Sequence, residues 1–274
     1  MSEQSRAVER LARLGYGCRG LVYVIVGWFA VKAAMGRSEV TDTRGALAEL
    51  LGQPLGRTML AVVALGLCGY ALWRLVEGVL DLDGGSGGGV KEWGRRGGRI
   101  ASGLIHLGLA AAAVGLILGT GGSGGGDQSA RDWTAWLLSF PFGRVLVALV
   151  GVAVLAASAA QAGKAWKAGF ANELPPDPEI RRVLCPVGRA GLAAKSLVFA
   201  LVGLFFLLAA WRSDASESGG LAQALRTLQD QPFGPWLLGV VAVGLVAFGI
   251  YSVAMGLYRR IDAGRAEARL RAAL

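Results

Sequence analysis

A few polar and ionisable residues lie inside long apolar segments, where a charge is costly and therefore marks candidate chemistry. The set combines three cations, one carboxylate, one amide and the single histidine of the chain. Its members are His106, Arg74, Glu77, Arg19, Lys195 and Gln161. A mainly cationic set of this kind predicts a binding site for an ion or an anionic solute, placed within the cytoplasmic third of a helical bundle.

The same residues also allow a simpler interpretation. Long Arg and Lys side chains can extend to the membrane surface, and Arg74 and Glu77 are one helical turn apart, close enough to pair. His106 is flanked by Gly103 and Ala110, so a neighbouring helix can approach and accept a hydrogen bond. Both interpretations stay open at the level of the sequence.

No catalytic pattern accompanies these residues. One histidine excludes a His-rich metal site, no two carboxylates share an apolar segment for acid–base work, and no serine has a nucleophile context. The three cysteines show no CxxC spacing, which excludes a disulfide framework or a zinc site. We therefore expect no enzymatic activity, no cofactor and no bound metal.

Six apolar runs position the candidate residues. The 274-residue chain is 54% hydrophobic and only 17% charged, with a mean hydropathy of +0.50. A bilayer-spanning helix needs about 20 apolar residues, and backbone polar groups in lipid must be paired within the segment. We predict an all-α polytopic membrane protein with six spans at 15–34, 56–80, 100–119, 143–163, 188–211 and 234–258.

The six runs form three copies of a two-helix repeat. Two sets of glycines recur at intervals of 88 residues: Gly15, Gly103 and Gly191, then Gly27, Gly115 and Gly203. We place the repeats at 12–83, 98–170 and 187–260, with cytoplasmic linkers at 84–97 and 171–186 and a charged tail at 261–274. Repeats of two spans share one topology, so the sequence predicts parallel repeats in pseudo-threefold packing.

Each repeat carries a Pro-(Leu/Phe)-Gly motif after a short segment with Leu or Trp at helical spacing. Such a segment is typical of an interfacial helix, which the proline ends. We predict that the motif forms an elbow where the outer helix turns into the even-numbered span. The elbow residues are Pro54, Gly56, Pro141, Gly143, Pro232 and Gly234.

The basic residues predict the orientation. Twenty Lys and Arg residues fall on the side of both termini and eight on the other, which by the positive-inside rule makes the termini cytoplasmic. The net charge of +9 indicates contact with anionic lipid headgroups at the cytoplasmic face. No nucleic-acid-binding module is present, so we expect no nucleic-acid partner, whereas a protein partner or homo-oligomer stays open.

These motifs resemble the repeat of a bacterial family called domain of unknown function 1206. The matching stretches are Arg13-Leu-Gly-Tyr-Gly-Cys-Arg-Gly-Leu-Val-Tyr, Val26-Gly-Trp, Asp42-Thr-Arg-Gly-Ala-Leu, Gln53-Pro-Leu-Gly-Arg and Gly69-Tyr-Ala-Leu-Trp-Arg. The resemblance covers nearly the whole chain and implies a six-helix protein of the bacterial inner membrane, without implying an activity. Repeat two departs most, with His106 and a run of alanines where repeat one has Arg19 and Tyr23.

Two functions of different classes are compatible with these features. The first is channel- or transporter-like handling of a small solute or ion through the centre of the bundle. The alternative is a non-catalytic membrane scaffold that binds lipid or partner proteins. Small residues surround almost the whole of the fourth span, so we also predict that this span is central.

Overall fold

The computed structural model is all α-helical over the residues that it describes, which are 3–80, 89–120, 125–168, 170, 174 and 177–258. In that part of the chain the α-helices are α1 Glu3–Ala34, α2 Thr43–Leu51, α3 Gly56–Leu80, α4 Val90–Leu118, α5 Gly126–Leu138, α6 Gly143–Lys167, α7 Pro178–Arg212, α8 Leu221–Gln229 and α9 Gly234–Tyr258, and a short 3-10 helix, Ala215–Glu217, follows α7. Six of these, namely α1, α3, α4, α6, α7 and α9, are long and apolar enough to cross a membrane. The predicted tail at 261–274 lies outside the described residues.

The second span of each repeat (α3, α6 and α9) begins at the predicted glycine. The first span of each repeat (α1, α4 and α7) begins earlier than predicted. Helix α4 starts at Val90 and α7 at Pro178, both inside segments that the sequence assigns to linkers. Asp177 caps α7 by accepting a hydrogen bond from the Glu179 N–H at 2.9 Å. Hydropathy marks only the part of a helix that suits lipid, so it misses polar helical turns outside that part.

The elbows join each short helix to the following span by a close backbone approach. A Cβ atom added to Gly56 would lie 2.3 Å from the backbone oxygen of Leu51, and one added to Gly234 would lie 1.7 Å from the backbone oxygen of Gln229. The residue before the glycine has positive φ in two repeats, 62° at Leu55 and 61° at Phe233. Only glycine therefore fits where the span begins.

The short helices α2, α5 and α8 lie together at one end of the bundle, which we name the cap end. Asp42 caps α2 by accepting from the Gly45 N–H at 2.8 Å, and it also accepts from the Gly126 N–H at the start of α5. Asp127 of α5 accepts from the Gly220 N–H at 2.9 Å, just before α8. Each repeat is therefore linked to the next by a carboxylate that binds a backbone amide.

The opposite end, which we name the terminal end, brings the start of α1 beside the end of α9. The Arg13 guanidinium donates to the carbonyl oxygen of Gly256 at 3.2 Å and to that of Leu257. Both chain ends of the described bundle therefore lie at the same end.

The spans pack most closely between repeats, in the pairs α1–α9, α3–α4 and α6–α7. Glycines allow these approaches: a Cβ on Gly20 would lie 2.6 Å from the Gly249 oxygen, and one on Gly151 would lie 3.0 Å from the Gly203 oxygen. Within repeats one and three, α1 packs on α3 and α7 packs on α9. Helices α4 and α6 of repeat two are not in comparable contact over the described residues.

The prediction that the fourth span is central is wrong. Helix α6 is the least buried of the six spans. In its most apolar stretch 17% is buried inside the protein, against 56% in that of α9. Helices α3 and α9 each pack one face against the first span of their own repeat. In α6 the corresponding positions are Ala153, Ala157 and Ala160, and all three are exposed. Small residues permit close packing, but the partner helix α4 lies against α3 instead.

Candidate functional site

Arg19 of α1 is the centre of a polar and aromatic cluster in the terminal-end half of the bundle. Its guanidinium donates to the hydroxyl of Tyr70 on α3 and, at 3.0 Å, to the hydroxyl of Ser252 on α9. Its carbon Cζ lies 5.4, 4.8 and 5.1 Å from the ring centres of Tyr16, Tyr70 and Phe248. Three helices therefore hold one cation by hydroxyl groups and ring faces.

Lys195 of α7 occupies the position in repeat three that Arg19 occupies in repeat one. Its Nζ lies 4.4 Å from the ring centre of Phe248, 5.2 Å from that of Tyr23 and 5.1 Å from that of Phe199. Over the described residues, no carboxylate forms an ion pair with either Lys195 or Arg19. Because both cations contact Phe248, they share one site.

His106 of α4 joins this cluster through Tyr70. The two ring centres are 4.6 Å apart, with the ring planes tilted by 59°. Its Nδ1 lies 2.7 Å from the Ser102 carbonyl oxygen of its own helix, not of a neighbouring one. A carbonyl only accepts, so Nδ1 carries the proton there. The ring lies within electrostatic range of Arg19, Lys195 and Arg74.

Arg74 and Glu77 form an ion pair on α3. Arg74 Nη1 lies 2.7 Å from Glu77 Oε2, and the carboxylate side chain is only 4% exposed. The Arg99 guanidinium adds a bond of 3.4 Å to the Glu77 carbonyl oxygen. This pair is the local compensation that Arg19 and Lys195 lack. Arg74 thus borders the cluster with its own charge largely neutralised.

Gln161 stands apart from the other candidate residues. It lies half-buried on α6, and within the described part of the chain it makes no hydrogen bond to the cluster. Lys164, one turn further along α6, is within electrostatic range of Lys195. The structure therefore groups five of the six predicted residues and connects α6 to them through Lys164 instead of Gln161.

Three buried N–H groups around the cluster have no acceptor among the described residues. They are Arg19 Nε, Trp73 Nε1 and Arg74 Nε. All three are donors, and an unpaired buried donor is costly unless a water or a ligand completes it. The cluster therefore has more donors and positive charge than its own residues satisfy, which is complementary to an anion.

The aromatic partners of the two cations are members of the site that charge and polarity alone do not reveal. Tyr70 and Phe248 follow the elbow prolines Pro54 and Pro232 at the same distance of 16 residues. Alignment of the repeats could have identified these two residues, because repeats one and three both have an aromatic ring 16 residues after the elbow proline. Repeat two has Ala157 at the same place.

An apolar layer separates the cluster from the cap end. Val26, Ala30, Val63, Val198 and Val241 belong to one buried core, and each is at most 5% exposed. Two surface cavities lie away from the cluster. One, of about 350 Å³, adjoins the elbow of repeat two, and one of about 470 Å³ lies between α6 and α7 beside Trp166 and Arg189.

The comparison with known families identifies the repeat. A family model described as Domain of Unknown Function (DUF1206) matches the chain three times, at residues 14–81, 97–168 and 190–259. The chain belongs to the DUF1206 family. The threefold match agrees with a tandem repeat family, as the resemblance in the sequence predicts.

One relative of this DUF1206 chain aligns over almost its full length. It is Uncharacterized protein YxxB of Bacillus subtilis (strain 168), which is 30% identical over 257 residues, covering 93% of this chain and 92% of the relative. No solved structure matches the chain.

Proposed function

We propose that this DUF1206 protein is a membrane protein that binds a small anionic solute at the Arg19–Lys195 cluster and handles it in a transporter-like manner. The observation that carries the proposal is the pair of uncompensated cations over the single Phe248 ring. Cations inside an apolar bundle are costly. A bound anion offsets that cost, whereas a purely structural role is better served by apolar side chains.

The apolar layer favours a transporter-like protein over an open channel. Between the cluster and the cap end the core consists of Val, Leu and Ala side chains, with Val26 and Leu60 fully buried. A hydrated path through this layer requires the helices to move. The described conformation therefore corresponds to a site closed toward the cap end.

The same proposal places the protein in the bacterial inner membrane, with the terminal end in the cytoplasm. The excess of Lys and Arg at that end supports this orientation. The between-repeat pairs α1–α9, α3–α4 and α6–α7 support a pseudo-threefold arrangement that is interrupted at repeat two. We assign no catalytic role to the cluster, because no nucleophile and base are paired in it.

A scaffold function is the second candidate. The cavity between α6 and α7 combines an apolar wall with the exposed Arg189 and Trp166 at the terminal end. This combination suits lipid headgroups or a peripheral partner. On that alternative the basic surface binds the partner, and Arg19 and Lys195 contribute nothing to that binding.

Anion binding by purified protein tests the proposal. Inorganic phosphate, succinate and chloride serve as probes in calorimetry, and uptake of labelled phosphate and succinate is measured in proteoliposomes. We expect saturable binding of at least one probe, weakened about tenfold or more by Arg19→Gln or Lys195→Gln. The matched control is Lys32→Gln, since Lys32 also contacts a ring, Phe29, at 5.3 Å, but lies at the other end of α1.

The proposal fails if no probe binds, or if Lys32→Gln weakens binding as much as Lys195→Gln does. Binding without uptake, in protein that is correctly inserted, contradicts the transporter-like part alone. Partner capture that depends on Arg189 and not on Arg19 supports the scaffold alternative.

A further inference from the structure

Within the part of the chain that the structure describes, repeat two lacks the close helix contact that closes the other two repeats. In repeat one, a Cβ on Gly15 of α1 would lie 2.6 Å from Tyr70 of α3, and in repeat three one on Gly191 of α7 would lie 2.5 Å from Phe248 of α9. In repeat two the corresponding glycine, Gly103 of α4, faces Leu75 and Ala71 of α3 instead. Over the described residues, the ring of six spans is therefore open between α4 and α6.

The open side of α6 is smooth and apolar. Ala153, Ala157 and Ala160 are all exposed there, and no described residue of another element comes within 4 Å of a Cβ built on Gly163. In the other repeats the position of Ala157 holds the rings of Tyr70 and Phe248, which fill the space. The alanines leave a strip along which a hydrocarbon chain can lie.

Positive charge continues from the surface of α6 into the cluster. Lys164 is exposed one turn after Ala160 and lies within electrostatic range of Lys195. Lys195 in turn shares the Phe248 ring with Arg19. None of these three cations has a carboxylate partner over the described residues. An apolar strip that ends in a series of cations is complementary to an amphiphile with an anionic headgroup.

We infer that the ligand of the Arg19–Lys195 site is an anionic membrane lipid, which enters sideways between α4 and α6. Its phosphate contacts Lys164 and Lys195, and its acyl chain lies on the alanine strip of α6. This inference rests on the proposed anion-binding function and names the class of ligand and its route. A free anion shares the phosphate chemistry but has no use for the alanine strip.

The decisive variant is Ala157→Phe, which gives α6 the ring that repeats one and three already have. Because Ala157 is exposed, the larger side chain needs no space inside the bundle and fills the opening instead. Val152→Phe is the matched control, since Val152 is 55% exposed and lies on another side of the same helix. Lys195→Gln removes the charge and leaves the opening unchanged.

The experiment counts bound lipids by native mass spectrometry after titration with phosphatidylglycerol or phosphatidylcholine, alongside calorimetry with inorganic phosphate. We expect one phosphatidylglycerol to bind in preference to phosphatidylcholine. This binding weakens about tenfold or more in Ala157→Phe and in Lys195→Gln and stays unchanged in Val152→Phe. Phosphate binding is unchanged in Ala157→Phe and weakens about tenfold or more in Lys195→Gln.

Each other result is decisive. If phosphate binds but phosphatidylglycerol shows no preference, or if Ala157→Phe leaves its binding unchanged, the lipid inference is overturned and the anion site stands. If neither ligand depends on Lys195, both proposals fall. If Ala157→Cys yields a disulfide-linked dimer in the membrane, a second copy covers α6 and the lipid route is overturned.

Discussion

The cap end and the terminal end differ in whether their polar side chains have partners of complementary charge or hydrogen-bonding capacity. At the cap end, the carboxylates of Asp42 and Asp127 each accept from the backbone amide of the next repeat, and Asp127 also pairs with Arg226 at 3.3 Å, so the donors there have acceptors. At the terminal end, Arg19 and Lys195 have ring faces and hydroxyls but no carboxylate among the described residues. Matched groups stabilise the fold, whereas unmatched cations reduce its stability and are available to a ligand.

The largest effect is expected from Gly234→Ala at the cap end. The new Cβ would lie 1.7 Å from the Gln229 oxygen, so the elbow must shift. We expect the free energy of unfolding to fall by about 3 kcal/mol. Thermal unfolding in detergent measures it, with Gly239→Ala as control, because a Cβ there meets Ala34 only at 3.8 Å. Equal effects of the two variants would contradict the elbow geometry.

Loss of an inter-repeat carboxylate ranks second. Asp127→Ala leaves the Gly220 N–H without its acceptor at 2.9 Å and removes the contact of 3.3 Å with Arg226. We expect a loss of about 2 kcal/mol in the same unfolding measurement. Asp132→Ala is the control, since among the described residues that exposed carboxylate pairs only with Gln128 of its own helix. If Asp127→Ala and Asp132→Ala were equally stable, the carboxylate that links repeats two and three would not stabilise the fold, and the contrast between the two ends would be contradicted.

Lys195→Met is expected to act in the opposite direction. An apolar side chain of similar length keeps the contacts with Tyr23 and Phe248 and removes the uncompensated charge. We expect stability to rise by about 1 kcal/mol while anion binding is lost. Lys32→Met is the control and should change neither property. A destabilised Lys195→Met protein would show that the cation is structural, and the contrast between the two ends would then disappear.

The smallest effect concerns the exposed turn after α7. The hydroxyl of Ser216 first, and then its backbone N–H at 2.8 Å, hold the pKa of Asp214 below its ordinary value of 3.8. A lowered pKa contributes stability above that ordinary value, and the contribution is lost as the pH falls through the lowered pKa. The Tm measured between about pH 5 and about pH 3 should fall slightly less in Ser216→Ala. An identical pH profile would refute this contribution.

The fold follows from the sequence to a large extent because its signals are local. Hydrophobic runs identify the six spans, and Pro-(Leu/Phe)-Gly marks the start of α3, α6 and α9. Two intervals of 88 residues separate Arg19 from Lys195, so the repeat register alone pairs them. Helix starts at Val90 and Pro178 are missed, because hydropathy does not detect helix outside the membrane-like segment.

The candidate site depends partly on contacts that the sequence does not encode locally. Arg19, Lys195 and His106 are recognisable as costly residues in apolar runs, but the Phe248 ring that joins the two cations comes from a third helix. The alanine-rich α6 appears central by composition and is the least buried span in the structure. Small residues allow a neighbouring helix to approach closely, but their presence does not show that a helix packs there.

The sequence by itself determined the number of spans, the repeat, the elbows and the identity of the cations that lie within the spans. Each of these depends on the chemistry of one residue or on a short periodic pattern. Only the tertiary structure decided that α4 packs on α3 and leaves α6, that two cations share one ring, and that carboxylates link the repeats at the cap end. Those facts depend on which helix faces meet, and three similar repeats offer several nearly equivalent partners for each face.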